Sequence, residues 1–105
     1  MVKVEHEKVI QILFKAIDEV NLQLPRAKNL KKSKDLILTG ENSELDSLAL
    51  VNLIVATEQK IEESFENSVP LAGEHWGSSQ TSPFRTIESL AEYIRQTLEK
   101  KLNAS

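Results

Sequence analysis

The sequence predicts an all-α fold, a small bundle of helices, on three observations. Apolar residues recur at helical spacing along three stretches, 4–21, 46–65 and 86–102. The second and third open on Asp46 and Thr86, residue types that cap helix N-termini. Between the stretches lie the prolines, glycines and serines of turns, and the one short apolar run outside them has no second run to pair with as a sheet. A chain of 105 residues is long enough for one domain, residues 1–105, around one modest core.

The first helix is expected from about Val4 to Val20 or Asn21. Val9, Ile10, Leu13, Phe14, Ile17, Val20 and Leu24 repeat on one face, and Pro25 marks the limit. Arg26, Lys28, Lys31, Lys32 and Lys34 follow in a polar stretch that reads as solvated loop or a short helix face. Leu36-Ile37-Leu38 is an apolar patch expected to tuck this long first loop against the bundle, and residues 39–43 are turn chemistry leading to the central helix.

That helix runs from Asp46 to about Phe65 without Gly or Pro. At about 100° per residue its apolar positions separate into two stripes. Leu50, Leu53, Ile54, Ile61 and Phe65 share one side with Thr57, and this is the expected core face. Leu48, Val51 and Val55 fall on the opposite side among Asn52, Glu58, Gln59 and Glu62. A helix already apolar toward the core gains a second stripe only if it is buried all round or offers a surface to something else. Ser47 stands at the helix mouth, one residue before that outer stripe. Residues 66–85 hold Pro70, Gly73, Gly77 and Pro83, with Val69, Leu71 and Trp76 as anchors. His75-Trp76 reads as an aromatic anchor beside a solvated imidazole. The last helix opens at Thr86 and buries Ile87, Leu90, Ala91, Ile94, Leu98 and Leu102. Glu88 near its start and Lys100 and Lys101 near its end suit the helix dipole.

Leu45-Asp46-Ser47-Leu48, followed by Leu50-Val51-x-Leu53 and an acidic continuation, resembles the prosthetic-group site of acyl carrier proteins. Phe84-x-Thr86-Ile87-x-x-Leu90 is similar to the start of the final helix in that family. The resemblance implies a small four-helix bundle with a long first loop and a short or irregular third helix. It also implies that Ser47 takes 4′-phosphopantetheine covalently from coenzyme A through a phosphopantetheinyl transferase. Asp46 would assist that loading, since Mg²⁺ is commonly held by a carboxylate together with phosphate oxygens. Taken alone, Asp46 is an N-cap and Ser47 a good first-turn residue. The further partners implied are acyl-transferring or acyl-activating biosynthetic enzymes of a lipid, polyketide or related pathway. Where fatty-acid carriers are often acidic, this chain has Ala49 and Asn52, and its first and third loops look long, which points to a specialised stand-alone carrier.

Charge distribution bears on those partners. Residues 1–34 carry eight Lys/Arg against four Asp/Glu, whereas residues 35–74 carry nine acids against one Lys. The acidic block surrounds Ser47, so Glu44, Glu58 and Glu62, together with Leu48, Val51 and Val55, are the candidate partner surface for a basic docking patch. Nucleic acid is excluded at such a site, and no aromatic interleaves the basic stretch to support it elsewhere. There is no cysteine, no metal-ligand spacing, no apolar run approaching the roughly 20 residues of a membrane span, and no signal-peptide core in residues 1–8. A soluble, cytoplasmic monomer is expected. A serine hydrolase needs a base, an orienting group and an oxyanion hole. The chain offers only His6, at the chain start, and His75, with no Gly-x-Ser-x-Gly elbow. The reading is therefore a non-enzyme. Its competitors are a helical interaction module without a prosthetic group and a peptidyl carrier, which generally has Gly before the modified Ser where this chain has Asp46.

Overall fold

The computed structural model describes residues 2–39, 43, 45–71 and 84–104, and of Ser47 the backbone alone. Three α-helices, α1 (His6–Leu22), α2 (Ser47–Phe65) and α3 (Ile87–Asn103), and one 3₁₀ turn, Arg26–Lys28, make up the described secondary structure, with no strand among the described residues. The expected third helix between α2 and Thr86 is not seen over residues 66–71, which are non-helical, and residues 72–83 lie outside the described residues. His75 and Trp76 fall there too.

α1 begins two residues later than the apolar pattern indicates. Val4 is buried but lies outside the helix: its N–H donates to Glu99 Oε2 at 2.8 Å, and the Asn103 side chain both accepts from the Val2 N–H (2.7 Å) and donates to the Val2 carbonyl (3.0 Å). Asn103 thereby takes the Val2 carbonyl, which a further helical turn would offer to the His6 N–H, and Glu99 and Asn103 satisfy two N–H groups that such a turn would leave unpaired. The first residues thus lie along α3 as a strap.

α2 starts where Asp46 caps it, Oδ1 accepting the Ala49 N–H at 2.8 Å, which satisfies one of the orphan donors of a first turn. It stops at Glu66, a left-handed residue (φ 54°, ψ 28°) in a position where Gly is usual. The αL turn sends the chain back so that Val69 and Leu71 bury against the bundle. α3 is held at its start by a capping box: the Ser89 N–H donates to Thr86 Oγ1 (3.1 Å) and the Thr86 N–H to Ser89 Oγ (3.0 Å).

α1 and α2 run antiparallel. Leu24, just past the end of α1, lies beside Asp46 and Ala49 at the head of α2, whereas Lys8 near the start of α1 places its ammonium 5.0 Å from the Phe65 ring centre at the tail. The core is one cluster to which all three helices contribute. Ile17, Leu53, Ile54, Ile61, Leu90 and Ile94 are fully buried in it, and Phe14 packs against it half-buried.

Leu36-Ile37-Leu38 does tuck the first loop onto the bundle, with Leu36 and Leu38 buried, but it also finds a backbone partner that the sequence reading did not provide. Ile37 and Thr86 form an isolated antiparallel bridge: the Leu38 N–H donates to Arg85 O (2.7 Å) and the Ile87 N–H to Leu36 O (3.1 Å). The partner is the approach to α3, which carries no strand-like pattern of its own. The bridge lets two non-helical segments bury apolar side chains while pairing their backbone groups.

Candidate functional site

The head of α2 gathers most of the residues singled out from the sequence. Ser47 is the first residue of the helix. Its neighbour Asp46 spends Oδ1 on the cap, and among the described residues nothing bonds Oδ2. The carboxylate can therefore cap the helix and still present one oxygen outward, so the capping role and a cation-binding role do not compete.

Beyond Ser47 the helix shows the two faces expected. Leu53, Ile54, Thr57 and Ile61 are buried and Leu50 and Phe65 half-buried, whereas Leu48, Val51 and Val55 are 70, 41 and 43 % exposed. These three are the only exposed large apolar side chains that α2 carries among the described residues. Thr57 has no unmet polarity inside, because its hydroxyl donates to Leu53 O at 2.7 Å.

The acidic partner set divides. Glu62 is exposed on the second half of α2. Glu58 is half-buried, and its Oε2 accepts the Leu71 N–H at 2.7 Å, so this side chain ties the chain beyond α2 back to the helix rather than standing free on the outer face. Sequence spacing assigns it to the outer face and cannot show the bond to the returning chain. Glu44 lies outside the described residues.

A pocket of about 340 Å³ opens beside the helix mouth. Leu24, Ala27, Leu30 and Ala49 supply its apolar walls, and Lys28, Asn29 and Asp46 its polar groups. Its far wall is built by the 3₁₀ turn, with the Lys28 N–H on Pro25 O (2.8 Å) and the Asn29 N–H on Arg26 O (3.2 Å). Asn21 then clamps Leu30 from both sides, accepting its N–H at 2.7 Å and donating to its carbonyl at 3.0 Å. The basic stretch, read from sequence as solvated loop or a short helix face, has its Lys and Arg residues exposed and opens on the 3₁₀ turn, but their side chains differ in what they meet. Lys32 pairs with Asp18 (3.4 Å) and Lys34 with Glu7 (3.6 Å), both on α1, whereas Lys28 lines the pocket and meets no acid among the described residues. No pattern in the sequence separates Lys28 from its neighbours; only the 3₁₀ turn does.

The head of α2 thus combines a serine opening a capped helix, a carboxylate oxygen to spare, and a half-apolar pocket with Lys28 in its lining. The hydrolase constellation is not assembled from His6. That residue opens α1 against α3, its Nε2 3.1 Å from Glu88 Oε1 and its Nδ1 3.4 Å from Glu92 Oε2. Ser47 lies by the other end of α1, a helix of 17 residues and so about 25 Å long, far beyond a proton-transfer contact. His6 is also less frayed than its place in the chain suggested. Among the described residues no group of three acids or histidines stands close enough to hold a metal ion, and no helix is long and apolar enough to cross a membrane. No family profile, no curated protein and no solved structure matches this chain.

Proposed function

We infer that the protein is an acyl carrier: Ser47 bears 4′-phosphopantetheine, and the chain presents acyl groups to biosynthetic enzymes without catalysing their reactions. The observation that carries this reading is the exposed apolar row of Leu48, Val51 and Val55, which begins immediately after Ser47 on a helix whose opposite face is already buried. A helix with no partner has no use for it. The Leu45-Asp46-Ser47-Leu48 resemblance supplies the chemistry. In loading, a new P–O bond forms to Ser47 Oγ and the pyrophosphate bond of coenzyme A breaks. 3′-Phosphoadenosine 5′-phosphate leaves, and the serine proton passes to the transferase. Asp46, through its spare oxygen, would help hold a Mg²⁺ that balances the phosphates. The arm, once bound, supplies a terminal thiol for thioester linkage. A four-helix bundle completed by a short or irregular third helix between α2 and α3, cytoplasmic residence and a monomeric state belong to the same proposal.

The test is mass spectrometry of the intact protein after incubation with coenzyme A, Mg²⁺ and a broad-specificity phosphopantetheinyl transferase. The parent gains one phosphopantetheine and Ser47→Ala gains none. An unchanged mass with several transferases would leave the competing reading, a helical module that binds a protein through the same apolar row and carries no prosthetic group.

A further inference from the structure

We propose that the pocket between the 3₁₀ turn and the head of α2 is the resting place of the arm on Ser47, with the Lys28 ammonium paired to its phosphodiester; this rests on the carrier reading above. Asp46 and Ala49, which flank Ser47 in the first turn of α2, are both walls of the pocket. A group tethered to Ser47 therefore starts within one residue of it.

The pocket suits the arm rather than the cargo. Its volume, about 340 Å³, sits at the small end of the range for small-molecule sites, roughly 300–1,000 Å³. That is room for a short chain and not for a long acyl group in addition. The mixed lining follows the arm's composition, a phosphodiester, a branched hydrocarbon segment and two amides. Leu24, Ala27, Leu30 and Ala49 can cover the hydrocarbon, and Asn29 offers an amide. The phosphodiester is the demanding part, because the Asp46 carboxylate in the wall repels it. A cation must offset that repulsion, and Lys28 is the cation in the lining. Lys32 and Lys34 are already committed to acids of α1.

The pocket is also formed in advance. The Asn21 clamp on Leu30 and the two backbone hydrogen bonds of the 3₁₀ turn fix its far wall, which lowers the ordering cost of occupancy. The alternative groove lies farther along α2, between α1 and α2, where Val20, Asn52, Val55 and Ala56 enclose about 210 Å³. It is smaller, its lining contains Glu19 and no cation, and the nearby Lys60 is paired with that Glu19 at 3.0 Å. An anion has no reason to enter it.

The experiment compares the parent with Ala27→Phe, which fills the pocket, and Lys28→Glu, which reverses its charge. Both positions are exposed, so both variants are expected to fold, and Lys28→Glu suffices should the bulkier change disturb the turn. Each is loaded, checked by mass, and read in two ways: backbone amide shifts of loaded against unloaded protein, and the rate of thiol alkylation relative to free pantetheine. In the parent, loading moves the amides of residues 24–30 and Ala49 and slows alkylation. Lys28→Glu loses both effects and alkylates roughly two- to fivefold faster at low salt, the range that a solvent-exposed ion pair supplies. A loaded parent with unmoved 24–30 amides and the alkylation rate of free pantetheine overturns the proposal while leaving the carrier reading intact. Shifts centred on Val20, Asn52 and Ala56 overturn it in favour of the other groove. Failure of the parent to gain mass overturns both.

Discussion

Leu53 and Val51 are two residues apart on one helix and take opposite fates, and the difference decides what each substitution does. Leu53 is wholly buried and its carbonyl anchors the Thr57 hydroxyl, so Leu53→Ala removes packed volume that neighbours cannot refill. Such truncations cost about 2–5 kcal/mol, a large part of the about 5–15 kcal/mol that holds a domain together. Val51 has no such duty. Val51→Asp is expected to change stability by less than about 0.5 kcal/mol, as surface substitutions usually do, while impairing loading by a transferase. Paired denaturant melts check both, and a Val51→Asp protein as unstable as Leu53→Ala would mean that the exposed row is really core. These assignments were legible in the sequence because helical periodicity fixes which residues share a face, whatever that face meets. Lys28 was not legible. Its significance comes from where the 3₁₀ turn sets it down, and sequence spacing carries no trace of that.

Among the described residues, α3 carries a connected set of side-chain bonds. Arg95 donates to the Glu92 carboxylate through Nε (3.1 Å) and Nη2 and to Glu99 Oε2 through Nη1 (2.9 Å), and that same Glu99 oxygen accepts the Val4 N–H. The Arg95 guanidinium, forked onto Glu92, is the main reason that this carboxyl falls from its ordinary 4.5 to about 2; burial opposes the fall, and Gln96 and His6 assist it. Because the folded state holds the Glu92 proton more weakly than the unfolded chain, the stabilisation is fully present above about pH 4.5 and is lost as pH falls through about 2. Glu92→Gln should therefore flatten the acid limb of the stability curve between those values and leave the neutral-pH slope unchanged. Melts at half-unit pH intervals test it, and an unaltered acid limb would show that the fork contributes nothing measurable. Caps made these elements predictable in sequence: Asp46 and Thr86 each bond the third residue onward, as the pattern requires. The boundary that differs is at Val4, where the pattern expects helix and the structure has a buried residue outside it. An apolar residue records only that it is buried. Whether the backbone there is helical depends here on Glu99 and Asn103, some 95 and 101 residues along the chain. The Ile37–Thr86 bridge escaped prediction for the same reason, since both halves are single residues whose partners are remote.

For the molecule as a whole, charge is segregated along the chain, with the basic excess before residue 35 and the acidic excess around α2. The single basic residue of the acidic stretch, Lys60 on α2, is paired with Glu19 on α1 at 3.0 Å and so leaves its acidic neighbours unopposed. What stays exposed on α2, Glu62 in particular, is available to steer a basic partner. Glu62→Lys should slow loading at low ionic strength and have little effect near 1 M salt, where the Debye length shrinks to about 3 Å; Val51→Asp should slow it at every salt concentration. A Glu62→Lys deficit that does not fade with salt would show that the acid makes a direct contact. Glu58 is the wrong residue for this measurement, because reversing it also frees Leu71. Finally, the double grip of the Asn103 side chain on the backbone of Val2 makes the described chain almost a closed ring. A ring can be opened anywhere that no bond is lost. Joining 103 to 2 through a short Gly/Ser linker and cutting between Leu30 and the exposed Lys31, clear of the Ser33 N–H bond to Lys31 O, should give a circular permutant with the same helix content and a cooperative melt. In that molecule α1 is made last instead of first, so its refolding would show whether the bundle depends on the order in which its helices leave the ribosome or only on which faces they share.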